Sequence, residues 1–116
     1  MWTKYDESEL IEFFRSLPVY IEPREAGQLI FSSIGANNIQ LSMLISAYEK
    51  KCKISLDIEN SPIFNVELDD VEEIKLNEKC DSVLIYQAKK IENFTVYNIK
   101  GSFAIALEKR NDIWLL

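Results

Sequence analysis

At 116 residues and 13.5 kDa, the chain is sized for a single domain spanning 1–116. Nineteen Asp and Glu against thirteen Lys and Arg give a net charge of -6 and a pI of about 4.7. That sign counts against nucleic acid and anionic membrane as partners, since both are gripped through Lys and Arg. The sequence contains no histidine, which removes Ser-His and Cys-His nucleophile pairs, a histidine general base and histidine-bearing zinc sites.

Asp6 to Leu17 carries Leu10, Ile11, Phe13, Phe14 and Leu17 at helical spacing. Asp6 suits the N-cap, and Glu9 stands where a capping-box acid belongs. Pro18 stops the helix. Beyond Gly27 the apolar period drops to two. Gln28–Ile34 reads as a strand closed by a turn over Gly35–Asn38. Ile39 to Ala47 alternates as a strand with one apolar face. A helix through Leu41, Leu44, Ile45 and Tyr48 is the competing reading, disfavoured by its interior serines.

A turn over Glu49–Lys51 leads to a strand over Cys52–Ile58, which Asn60-Ser61-Pro62 breaks. Phe64–Leu68 forms the next strand, whereas Val71, Ile74 and Leu76 within Asp69–Leu76 fit neither period. Ser82–Gln87 is strongly β, Phe94–Ile99 and Ser102–Leu107 make a hairpin around Lys100-Gly101, and Ile113–Leu116 closes the chain as a strand. Consecutive strands behind one helix define an α+β fold, with the N-terminal helix packed on a mainly antiparallel β-sheet.

The opening Met1–Asp6 has no signal-peptide core, and no run approaches the ~20 apolar residues of a membrane span. A cytoplasmic setting is expected, with Cys52 and Cys80 free and serving as packing residues. Trp2, Tyr20, Tyr48, Tyr86, Tyr97 and Trp114 are either interface anchors or packing residues; half-buried or core packing is the expectation for each, with Trp2 and Trp114 tying down the termini. The three glycines form no phosphate-binding loop, and Asp69–Glu73 lacks the glycine of a calcium loop. No metal or cofactor is expected.

Charge is concentrated between Glu67 and Asp81. Glu67, Asp69, Asp70, Glu72, Glu73, Glu78 and Asp81 stand there against Lys75 and Lys79, leaving five of the chain's six net negative charges in fifteen residues. Like charges this dense need water or a cationic partner to screen them. The stretch is either a docking surface for Lys and Arg or a solvated connection between strands.

A helix over Asp6–Leu17, the acidic stretch Glu67–Asp81 and hairpins over Phe94–Leu116, in a small acidic chain, resemble the immunity proteins encoded beside bacterial contact-dependent growth-inhibition (polymorphic) toxins. The resemblance implies an antitoxin with no enzymatic activity. Such a protein neutralises a cognate toxin domain by covering its basic active or substrate-binding site. It implies a nuclease toxin, a ribonuclease in preference. The resemblance transfers no residue roles: the partner-binding set Glu67, Asp69, Asp70, Glu72, Glu73, Glu78 and Asp81 rests on charge alone. An acidic secretion chaperone, distinguished by more helix, is the alternative. A small carboxylate-using enzyme or ligand-binding barrel, distinguished by acids converging in a deep pocket, comes third.

Overall fold

The computed structural model describes residues 2–110, so the expected strand Ile113–Leu116 and the side chain of Trp114 lie outside the described residues. The elements run β1 (Lys4–Tyr5), α1 (Glu7–Phe14), β2 (Val19–Tyr20), β3 (Gln28–Ile34), β4 (Ile39–Ser46), β5 (Lys51–Ile58), β6 (Ser61–Leu68), β7 (Val71–Leu76), β8 (Ser82–Gln87), β9 (Glu92–Ile99) and β10 (Ser102–Lys109). The α+β class and the N-terminal helix are as expected, but the strands form two five-stranded sheets. Their orders are β1-β7-β8-β9-β10 and β2-β3-β4-β5-β6. Among the described residues every pairing is antiparallel except β1 with β7, which is parallel.

The helix starts as the sequence dictates. Asp6 caps it, its carboxylate accepting from the N–H groups of Ser8 (2.8 Å) and Glu9 (3.3 Å). It ends earlier than the apolar pattern suggests. Arg15 takes a left-handed conformation (φ 55°) and returns its N–H to Ile11 O, so Leu17 falls outside the helix and is 77% exposed. Leu10, Phe13 and Phe14 are buried. Phe14 stacks on Phe31 of β3 at 5.4 Å and meets Phe13 edge-on. The helix contacts β3 of one sheet and β7 and β8 of the other, so it joins the two sheets. Burying each such side chain contributes roughly 1.5–3 kcal/mol.

Alternation decides the inner faces. Leu29, Phe31, Leu41, Met43, Ile45, Cys52 and Ile54 from the second sheet join Val71, Ile74, Val83, Ile85 and Val96 from the first in one apolar cluster with the helix. The strand reading of Ile39–Ala47 is correct, because Leu41, Met43 and Ile45 all turn inward while Gln40, Ser42 and Leu44 turn out. The strand β6 begins at Ser61, upstream of the expected Phe64. Pro62 is tolerated there because β6 is an edge strand. The two-residue strands β1 and β2 are too short to show any periodicity.

Two connections fix how the sheets meet. Asp69 and Asp70 carry the chain from β6 to β7, and there Val71 N–H donates to Lys50 O (2.8 Å). Elsewhere the β3–β4 and β9–β10 turns touch, with Ala36 N–H on Gly101 O (2.8 Å). A Cβ on Gly35 would come within 2.2 Å of Gly101 O, so the approach requires glycine. No helix among the described residues is long and apolar enough to cross a membrane.

Candidate partner-binding surface

The seven acids singled out by charge do not form one cluster, because the corner between β6 and β7 divides them between the sheets. Glu67 lies on the outer face of β6, directly across from Lys53 of β5. Asp69 and Asp70 occupy the corner and are exposed. Their backbone carbonyls are used, accepting from Gln87 Nε2 (2.9 Å) and Ala88 N–H (2.8 Å), while their carboxylates project from the surface.

The strand β7 then explains why Asp69–Leu76 resisted both periods. Val71 faces Gln87 and Glu73 faces Tyr86, so Glu72 is an extra residue in a β-bulge. Plain alternation from buried Val71 would turn Glu73 inward. The bulge absorbs one residue, leaving Glu72 exposed, Glu73 half-exposed and Ile74 buried. Two adjacent carboxylates thus reach solvent while the strand keeps its core face. Lys4 lies in register with Glu73 across β1 and β7.

Glu78 and Asp81 lie in the turn after β7, and there the structure adds acids that charge density along the chain did not reveal. Glu9 and Glu12, on α1, come against this turn. The Glu9 carboxylate accepts the Leu76 N–H (3.3 Å), and the Cys80 thiol points at Glu12 Oε1 (3.8 Å). Helical spacing places Glu9 and Glu12 on one flank, but nothing in sequence tied that flank to a turn more than sixty residues away. Asp81 is partly committed, accepting from Asn77 Nδ2 (2.9 Å). Cys80 is exposed, contrary to the packing role expected of it; Cys52 is buried. Reduced hydration in the turn and then the Glu12 carboxylate raise the Cys80 thiol pKa. Burial pushes that of Cys52 up to about 12.

The outer face of the first sheet holds an open groove of about 790 Å³ that includes Glu9 and Glu78. Ser82, Asn93 and Thr95 are buried in its floor, and Asn93 Nδ2 donates to Thr95 Oγ1 (2.9 Å). The Tyr97 hydroxyl donates to both Glu108 oxygens (3.0 and 2.8 Å), and that bond raises the phenol's pKa. Tyr86 is buried beneath the Arg110 guanidinium, 4.6 Å from its ring. Tyr20 and Tyr97 are half-buried as expected, whereas Trp2 and Tyr48 are exposed. Among the described residues no three His, Cys, Asp or Glu side chains group as metal ligands.

No protein-family model and no curated protein matches the chain. Among solved structures, it is similar to a chain of a contact-dependent growth inhibition toxin–immunity protein complex from Klebsiella pneumoniae 342. The superposition has a TM-score of 0.74 at 18% identity, covering 93% of this chain and 98% of the other. The two chains share their fold over nearly their whole lengths.

Proposed function

We propose that this chain is an immunity protein that binds and neutralises a cognate toxin domain in the bacterial cytoplasm, and that it is not an enzyme. One observation carries the reading: the fold is shared, nearly end to end, with a chain of a toxin–immunity complex. Between the two kinds of protein such a complex contains, the charge of -6 favours the inhibitor. A nuclease toxin must offer Lys and Arg to phosphates, and exposed carboxylates along β6, the corner and β7 are complementary to such a surface. The toxin is thus a nuclease, a ribonuclease in preference, and its basic active or substrate-binding site is what the inhibitor covers. Steering by opposite fields can bring association to about 10⁸–10⁹ M⁻¹s⁻¹.

The secretion-chaperone alternative calls for more helix, and α1, eight residues long, is the only α-helix among the described residues. The test is to look for a toxin domain in the reading frame immediately upstream and to co-express it with this chain. Cells should grow, and the two chains should co-purify. Cell death at the same rate with and without this chain would overturn the proposal.

A further inference from the structure

Two aromatic side chains are left at the surface where the sheets meet. Trp2 is 65% exposed and Tyr48 is 49% exposed, their ring centroids 5.0 Å apart. Neither is loosely held. Thr3, beside Trp2, is buried. Its N–H donates to Ala47 O (3.0 Å) and its hydroxyl to Val71 O (2.7 Å), which fastens the Trp2 backbone to both sheets. The Tyr48 ring lies over Gly27, where even a Cβ would meet it at 2.9 Å. The backbone beside Trp2 and the ring of Tyr48 are held in place, and the pair hides little of its own surface. That combination suits an interface anchor, since part of the ordering is completed before a partner arrives.

Beside the pair lies a cavity of about 620 Å³, lined by Trp2, Thr3, Lys4, Lys50, Glu72 and Glu73. The bulge in β7 turns Glu72 and Glu73 out at this place. Lys4 stands in register with Glu73, while Glu72 is opposite no residue of β8. The corner that carries Asp69 and Asp70 is tied to Lys50 by the Val71 N–H (2.8 Å), but neither acid lines the cavity.

We propose that this pocket receives an arginine side chain from the toxin's basic face, a refinement that rests on the immunity reading. A guanidinium is planar, so it stacks on the Trp2 indole while its N–H fork reaches the Glu72 carboxylate. Either cation meets the charges of Lys4 and Lys50; a lysine ammonium can sit over the indole only as a point charge, without the plane and the fork that let arginine hold Trp2 and Glu72 at once.

The test uses protein carrying Trp114→Phe, in which Trp2 is the single indole. Its emission is followed on titration with the candidate toxin domain and with tetra-arginine, tetra-lysine and tetra-glutamate peptides. The toxin and tetra-arginine should both perturb Trp2, tetra-arginine binding at least about threefold more tightly than tetra-lysine. By titration calorimetry, Trp2→Ala should weaken the toxin complex about 30-fold and Glu72→Gln about fivefold. Both variants should keep the parent's melting temperature, because both side chains are exposed. An unchanged toxin Kd in Trp2→Ala, or a preference for tetra-glutamate, would overturn the pocket assignment and leave the immunity reading standing. Absence of toxin binding with tetra-arginine still seated on Trp2 would overturn the immunity reading and keep the pocket's preference.

Discussion

The two ends of β7 carry similar numbers of carboxylates and treat them differently. At its start, the bulge displays Glu72 and Glu73 beside an exposed aromatic pair, with Asp69 and Asp70 just upstream. Past its end, several acids are spent on the fold: Glu9 accepts the Leu76 N–H, Glu12 faces the Cys80 thiol and Asp81 holds Asn77. Negative charge is therefore a poor measure of availability. What separates the two ends is whether a carboxylate's lone pairs already have a donor inside the molecule.

The largest effect is expected from the scaffold that both ends share. Phe14→Ala should cost about 3–5 kcal/mol in chemical denaturation, because Phe14 is fully buried against Phe31. A smaller loss would mean that the helix does not hold the sheets together. Next, the ends should separate in binding. Neutralising Asp69, Asp70, Glu72 and Glu73 together should slow toxin association about tenfold at low salt and flatten its salt dependence, read by stopped flow. Neutralising Glu9, Glu12 and Glu78 should change the rate by no more than about threefold. Equal effects from the two sets would erase the distinction.

Stability should order the ends the opposite way. Asp6→Ala, which uncaps α1, should cost about 1 kcal/mol, and Glu9→Ala a similar amount by freeing the part-buried Leu76 N–H. Glu72→Ala should stay within about 0.5 kcal/mol. The smallest effect concerns alkali. Tyr97 is raised above its ordinary 10.0 by its bond to Glu108, so the fold favours the neutral phenol. Its contribution is complete below pH about 10 and disappears as pH rises through the higher folded-state value. Tyr97→Phe should remove that part of the alkaline loss, followed through tyrosinate absorbance during unfolding.

Much of this architecture is legible in the residues. Asp6, Leu10, Phe13 and Phe14 announce the helix start and its buried face, and period-two alternation locates β3, β4, β5, β8, β9 and β10 with small errors at their ends. What stayed hidden is set by tertiary contact. The division into two sheets depends on which strands pair, and no local period encodes that. Leu17 follows the apolar spacing, but the left-handed turn at Arg15 removes it from the helix. The Glu72 bulge was visible only as a failure of both periods over Asp69–Leu76. The candidate surface is half legible: linear charge nominates Asp69 to Glu73, while the juxtaposition of Trp2, Tyr48 and Glu72 draws on segments up to seventy residues apart.

The most direct measurement is titration calorimetry of the purified chain with the candidate toxin domain across a range of salt. A one-to-one complex whose affinity weakens steadily as salt rises is the expected result. No heat of binding, or an affinity indifferent to salt, would contradict an inhibitor that works by presenting carboxylates to a basic site.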